Sequence, residues 1–272
     1  MTSFEFLTSA WSWKPAVLFE CAALLIAYAV VGHSKLTKFT ISFVLGTVVF
    51  ALALLSPLAL LADRYLFSAH TLQHLLLAQI VPPLLLLGVP PALHRQALCL
   101  AFIKWILKKP FLAWSVGIMA MVIWHIPGLH SGMGEHSHGF TGMEMALVIT
   151  GGLFWWPIIT PVVEYRLSPL LAVFYLFSAC LSTTLVGIII AFAPPGLYPQ
   201  YLHPHDPFGI LPLLRNDWGL SPAIDQQIGG LLMWLPCCLV YLTAILATLV
   251  HWYNAPEEVE ALPSAAIYEN IK

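Results

Sequence analysis

Two histidines placed four residues apart, His70 and His74, are the side chains of this sequence best arranged for chemistry. Residues at positions i and i+4 of a helix lie on one face about a turn apart, so both imidazoles would point the same way. This spacing is typical of a metal site. The pair opens a long apolar stretch, where ionisable groups are costly and usually functional. The alternative is that both imidazoles only hydrogen-bond neighbouring helices.

A second set of metal-binding side chains lies in the segment that follows Trp124. This segment has no Lys or Arg before Met145, and its glycines let it fold around an ion at little steric cost. Imidazole with thioether suits copper, and thioether favours Cu(I), whereas magnesium and calcium prefer oxygen ligands. A solvated, weakly structured loop is the alternative. The candidate ligands are His125, His130, His136, His138, Met133, Met143 and Met145.

The composition identifies a polytopic membrane protein. Hydrophobic residues make up 60% of the 272 residues and charged residues 9%, with a mean hydropathy of +0.85. A soluble domain with this balance would have an apolar surface. The five cysteines show no CxxC spacing, which argues against a disulfide framework or a zinc ribbon. We expect one transmembrane domain over residues 1–272, and a first span that is retained because no basic region precedes it.

Seven stretches are apolar over about the 20 residues that a membrane-spanning helix needs. The predicted spans are 16–32, 40–61, 68–89, 110–127, 145–163, 168–193 and 225–252. The sequence therefore predicts an all-α integral membrane protein, a bundle of seven transmembrane helices. The short apolar stretch 97–107 contains Lys104 and is followed by more lysines, so we expect it to lie at the membrane interface.

The basic residues predict the orientation of this bundle, because cytoplasmic loops carry an excess of Lys and Arg. With seven spans, one side receives Lys35, Lys38, Arg95, Lys104, Lys108, Lys109, Arg166 and Lys272, and the other only Lys14, Arg64 and Arg215. The N-terminus is therefore expected outside and the C-terminus in the cytoplasm. This orientation places on or near the outer surface His70, His74, His125, His130, His136, His138, His203 and His205. Two independent patterns thus indicate one outer surface rich in imidazole.

Several other residues receive structural interpretations. Tyr198, Tyr201 and Trp218 are expected in the interfacial aromatic belt, and His203 and His205 at the surface. Ser221-Pro222 predicts a helix start, which puts Asp225 and Gln226 in its first turns, facing other helices. We also expect a surface ion pair between Asp63 and Arg64, a kink at Pro82 and Pro83, and small buried side chains at Cys237 and Cys238.

Four motifs together resemble the caa3-type (CtaG-like) cytochrome c oxidase assembly factor family. They are His70-Thr-Leu-Gln-His-Leu-Leu-Leu77 with Pro82-Pro83 following, Trp124-His-Ile-Pro127, Phe154-Trp-Trp-Pro157 and Asp225-Gln-Gln-Ile-Gly-Gly-Leu-Leu-Met-Trp234. The resemblance covers the predicted spans two to seven. It implies a multi-pass protein of the bacterial cytoplasmic (inner) membrane that assembles a haem–copper oxidase, with copper supply as its task. By position it points to His70, His74, His125 and the pair Asp225-Gln226.

The resemblance has one departure. Family members often carry a Glu-His pair shortly before the Phe-Trp-Trp-Pro motif, where this chain has Met143-Glu144-Met145. Thioether and carboxylate would then replace an imidazole ligand, or His136 and His138 would supply it.

We therefore predict a copper-binding assembly factor and not an enzyme, since the sequence shows no nucleophile with an adjacent base, phosphate loop or acid–base pair. Copper, with Cu(I) favoured, would be bound by His70, His74, His125, His136, His138, Met133, Met143 and Asp225. The expected partners are the lipid bilayer, haem–copper oxidase subunits and a periplasmic or extracytoplasmic copper chaperone, without nucleic acid.

Three alternatives are a haem b subunit of the respiratory chain, a structural subunit of a respiratory complex, and a copper transporter. His70 and His74 lie on one helix face and cannot be both axial ligands of one haem, so haem would require a third residue such as His125. A transporter would need polar groups that continue toward the inner side, and these are sparse here.

Overall fold

The described part of the chain is a bundle of helices. In a computed structural model, this part comprises residues 2–30, 37–91, 94, 101–127 and 142–254, and it contains no strand. The helices are α1 (Ser3–Ser9), α2 (Pro15–Val30), α3 (Lys38–Leu55), α4 (Pro57–Arg64), α5 (Phe67–Gly88), α6 (Ala101–Leu107), α7 (Pro110–Trp124), α8 (Gly142–Ile159), α9 (Pro169–Phe192) and α10 (Pro222–Tyr253). The prediction of an all-helical fold is confirmed.

Five of these helices, α3, α5, α8, α9 and α10, are long and apolar enough to cross a membrane. Helices α2 and α7 fall within predicted spans, and they have 16 and 15 residues in the part of the chain that the structure describes. At 1.5 Å per residue they are shorter than a hydrocarbon core of about 30 Å. The chain is thus a membrane protein with several apolar helices, while the count of seven spans and the orientation of the termini stay predictions.

The structure divides the predicted span 40–61 into two helices. Helix α3 ends at Leu55, and α4 begins at Pro57. Ser56 has an extended backbone (ψ 172°), and its side chain accepts a hydrogen bond from the amide of Leu58 at 3.3 Å. A residue before proline is disfavoured in the helical conformation, and serine is a good N-cap, so Ser56-Pro57 ends one helix and starts the next.

Helix α5 runs without interruption but contains a π-helical turn over Leu76–Ile80, which begins two residues after His74. There the amide of Val81 donates to the carbonyl of Leu76, five residues back. Pro82 follows and has no N–H to donate to the carbonyl of Ala78. Helix α8 packs closely here, because a Cβ added at Gly151 would lie 2.5 Å from that carbonyl oxygen. Next to the proline pair, where a kink was predicted, the helix thus has a π turn that is covered by a glycine.

Helices α9 and α10 pack antiparallel along a line of small side chains, which we call the α9–α10 seam (Gly187 with Gly230, and Cys180 with Cys238). A Cβ added at Gly187 would lie 2.7 Å from the carbonyl oxygen of Gly230, so the two backbones are in direct contact. Small residues allow this close approach of membrane helices in the absence of a hydrophobic driving force.

The start of α5, the end of α7, the end of α9 and the start of α10 lie together at one end of the bundle. We call this end the histidine end. A cap segment (residues 193–221) covers it. Helix α1, helix α4 and the cap segment share a buried cluster of side chains that includes Phe6, Tyr65 and Leu214. At the opposite end of the bundle, the Nζ atom of Lys108 lies 6.0 Å from the ring centre of Tyr165.

Candidate metal site

Three buried imidazoles converge at the histidine end. His70 and His74 come from the first turns of α5, and His125 directly follows α7. One ligand nitrogen from each lies within 4.8 Å of the other two, and the three residues are at most 3% exposed. We call them the three-histidine group. One ion about 2 Å from each nitrogen would need the nitrogens roughly 3.5 Å apart, so small side-chain rotations would be enough.

The orientation of His125 is fixed from two directions. Its Nδ1 atom lies 2.7 Å from the carbonyl oxygen of Met121, so the N–H at Nδ1 donates to that oxygen. The hydroxyl of Tyr198 donates to the backbone carbonyl of His125 at 2.7 Å. A proton held at Nδ1 leaves the lone pair at Nε2, which is the arrangement found in metal-binding histidines.

Asp225 lies outside the three-histidine group and holds the start of α5 instead. Its carboxylate accepts hydrogen bonds from the amide of Phe67 at 2.8 Å, the amide of Ser68 at 3.0 Å and the hydroxyl of Ser68 at 2.5 Å. Leu66, at the N-cap position of α5, provides no side-chain acceptor. A buried carboxylate from α10 therefore caps the helix that carries His70 and His74, and its charge opposes the positive end of the helix dipole.

Two glutamines fix the surrounding helices. The side-chain oxygen of Gln226 accepts from the amides of Gly196 (3.2 Å) and Leu197 (3.1 Å), and its nitrogen donates to the carbonyl of Ala193 at 3.1 Å. Gln226 thus binds the start of the cap segment to α10. Gln73 donates to the carbonyl of Ala53 at 2.8 Å, which fastens α5 to α3 between the two histidines.

The cap segment packs its aromatic side chains inward. The ring of Tyr198 stacks on Phe67 with centres 3.9 Å apart, and the hydroxyl of Tyr201 donates to the carbonyl of Ala62 at 2.9 Å. The prediction of a belt position is wrong for both tyrosines, which are 4% and 3% exposed. Burial raises the pKa of each phenol above its ordinary value of 10.0, so both hydroxyls remain donors. Arg215 donates to the carbonyl of Tyr201 at 2.9 Å.

Of the remaining predicted copper ligands, the structure describes Met143. Met143 lies half-buried in the first turn of α8. His203 and His205 are exposed on the cap segment, as expected. Met133, His130, His136 and His138 lie outside the described residues. Asp63 and Arg64 form the expected surface ion pair, at 3.6 Å with side chains 68% and 36% exposed.

Sequence reasoning missed the residues that position the histidines. Asp225 and Gln226 were expected to face other helices but not to cap α5 or hold the cap segment. The N-terminal helix α1 was also missed, although Thr2 and Glu5 form a capping box that can be read from the sequence. Nothing in the local sequence indicates that Tyr198 contacts His125, because their contact joins residues far apart in the chain.

Asp206 should make the cap segment sensitive to acid. It accepts from the hydroxyl of Tyr65 at 3.0 Å and from the amides of Ile210 and Leu211 at 2.9 Å. Partial burial acts to raise its pKa, but these donors hold the pKa below its ordinary value of 3.8. A depressed folded-state pKa contributes stability that is complete above the unfolded pKa and is lost as the pH falls through the folded pKa.

We therefore expect amide protection in the cap segment to begin to fall below about pH 5 and to keep falling as the pH drops through the lowered pKa of Asp206. Asp206→Asn should weaken protection near neutral pH and flatten this dependence. Hydrogen exchange of residues 206–214 as a function of pH measures both effects. Asp217→Asn, at an exposed position of the same segment, is the control and should keep the wild-type pH dependence. An unchanged pH profile in Asp206→Asn would contradict this assignment.

The model of the cytochrome c oxidase caa3 assembly factor family matches residues 25–255 of the chain. The match includes the three-histidine group, Asp225 and most of the cap contacts. No curated protein and no solved structure matches the chain.

Proposed function

Because the chain belongs to the cytochrome c oxidase caa3 assembly factor family, we propose that it binds copper at the three-histidine group and supports copper delivery to a haem–copper oxidase. The observation that carries this proposal is the convergence of three buried imidazoles from two helices at one end of the bundle. We place the protein in the bacterial cytoplasmic membrane with the histidine end outside, where oxidase subunits and a copper chaperone would exchange the ion.

The donor set favours copper. Three imidazoles suit copper and zinc, while magnesium and calcium require oxygen ligands that this group does not contain. A buried ion of charge +1 costs less desolvation energy than one of charge +2. The carboxylate of Asp225, at the start of the same helix, supplies one compensating negative charge. These terms together favour Cu(I) over Cu(II) and zinc.

Different residues would bind the ion, orient its ligands and take part in its transfer. His70, His74 and the Nε2 atom of His125 would hold the ion, and the hydrogen bond from His125 to Met121 would keep the ring turned toward it. Met143, at the start of α8, together with Met133, His136 and His138, would offer exchangeable ligands for transfer. Asp225, which the sequence predicted as a ligand, would instead position the start of α5.

Copper content of the purified protein tests this proposal. We expect the detergent-solubilised wild type, loaded anaerobically with Cu(I), to retain about one copper ion and to show no Soret band. The double variant His70→Ala/His74→Ala should lose more than about 100-fold in Cu(I) affinity in competition with a Cu(I) chelator. The double variant His203→Ala/His205→Ala removes two exposed histidines at the same end and should bind as the wild type does.

The same variants then test the role in assembly. In cells that lack the native gene, oxidase activity and the copper content of the oxidase should be restored by the wild type and by His203→Ala/His205→Ala, but not by His70→Ala/His74→Ala. Unchanged copper binding and full oxidase activity in the latter would overturn the proposal. A Soret band in the wild type would instead favour a haem subunit.

A further inference from the structure

The α9–α10 seam holds a pair of thiols that the copper site does not use. The Sγ atoms of Cys180 and Cys238 lie 2.7 Å apart, and the hydroxyl oxygen of Thr184 lies 3.2 Å from the sulfur of Cys238. Cys238 was expected to be a small buried side chain, but it is half-buried, as is Cys180. Its neighbour Cys237 is fully buried in a cluster of hydrophobic side chains and fits that expectation.

We propose that Cys180 and Cys238 form a reversible disulfide bond that links α9 to α10. Two sulfurs bound to one Cu(I) at about 2.3 Å each would be more than 4 Å apart in a near-linear complex, so their contact does not fit a bound metal. A disulfide bond requires only a further approach, to about 2.0 Å. The geometry therefore favours a bond between the sulfurs over an ion between them.

The position of the pair determines the class of oxidant. Cys238 lies about 20 Å along α10 from Asp225, at 1.5 Å per residue, and thus well inside the predicted span. Both cysteines are partly exposed on apolar helices, and we infer that this surface faces lipid, where an apolar oxidant would reach the thiols. The proposed oxidant is a membrane-soluble quinone. Two S–H bonds break and one S–S bond forms, and the quinone takes up the two electrons and two protons to become a quinol.

Thr184 assists this reaction. Once Cys238 has lost its proton, its sulfur can only accept, so the hydroxyl of Thr184 would donate to it and stabilise the negative charge. The resulting disulfide bond would fix α10 relative to α9 at a point further along α10 than the turn that carries Asp225 and Gln226. This inference is independent of whether the three-histidine group binds copper.

Counting free thiols in the full-length protein tests the proposal. The protein is reduced, freed of reductant, incubated with a short-chain quinone, denatured, treated with N-ethylmaleimide and weighed by mass spectrometry. The reduced chain should carry five labels, one for each cysteine, and the quinone-treated chain two fewer. Dithiothreitol should restore the lost labels.

Serine variants locate the bond. Cys180→Ser and Cys238→Ser should lose no label on oxidation, whereas Cys237→Ser, one residue away but buried, should still lose two. Serine is close in size to cysteine, and equal elution in size-exclusion chromatography verifies that each variant is folded. An unchanged label count in the wild type, a loss of two labels in Cys238→Ser, or a disulfide-linked dimer on a non-reducing gel would each overturn the proposal.

Discussion

Replacing Asp225 with asparagine is expected to lower the Cu(I) affinity of the three-histidine group by roughly 10- to 100-fold, although Asp225 does not belong to the group. The carboxylate accepts three hydrogen bonds at the start of α5. Asparagine has one acceptor oxygen, and its amide N–H group would face a backbone N–H. The positive end of the α5 dipole would then lose its compensating charge close to the bound cation.

The same substitution should also destabilise the fold. Buried hydrogen bonds to a charged group are worth about 1.5 to 3 kcal/mol each, so a loss of about 3 kcal/mol in the free energy of unfolding is expected. Chelator competition measures the affinity, and thermal unfolding in detergent measures the stability. Affinity should be measured well below the unfolding temperature, so that only folded protein is compared.

Two controls separate charge from position. Asp63→Asn removes an exposed carboxylate near the histidine end and should leave the affinity unchanged, because solvent screens its charge. Ser68→Ala retains the charge of Asp225 but removes one hydrogen bond, and should cost about 1 kcal/mol of stability. Wild-type copper affinity in folded Asp225→Asn would refute the positioning role.

Gly151→Ala is expected to destabilise the protein by about 3 kcal/mol, at the upper end of overpacking effects. A methyl group at this position would lie 2.5 Å from the carbonyl oxygen of Ala78 and 2.8 Å from the ring of Pro82. Neither atom can rotate away, because one is backbone and the other belongs to a proline ring within α5. Helix α8 would have to move away from the π turn that follows His74.

The adjacent glycine provides a matched control. A Cβ added at Gly152 meets no atom within 4 Å, so Gly152→Ala should be neutral or stabilising by up to about 1 kcal/mol through helix propensity. Thermal unfolding of the two single variants in the same detergent gives the comparison directly. Equal unfolding temperatures for Gly151→Ala and Gly152→Ala would show that α8 does not pack against α5 as described.

The sequence predicted the helices well where hydrophobicity alone decides them. The stretch 68–89 is helix α5 to within one residue at each end, because a continuous apolar run follows its polar start. The stretch 40–61 failed at Ser56-Pro57, a helix boundary that hydropathy does not detect but that local backbone preference explains. The π turn was also missed, since no residue type between Leu76 and Ile80 requires one.

The candidate site was likewise predicted only in part. The three histidines could be grouped from the sequence because spacing and topology place them at one depth, and the structure brings them together. Their supports could not be identified. Tyr198 and Asp225 act through contacts with His125 and with the start of α5, distant in sequence, and such contacts leave no periodic pattern. Met133, His130, His136 and His138 stay predictions.

The cap segment has a consequence for the timing of metal transfer. Tyr198 covers Phe67 and holds His125, and Gln226 ties the start of the segment to α10. An ion seated beneath this cover would have a residence time governed by how often the cover opens. Equilibrium affinity would then depend on the imidazoles and the handover rate on the aromatic contacts above them, so that tight binding and rapid release would not have to be traded against each other.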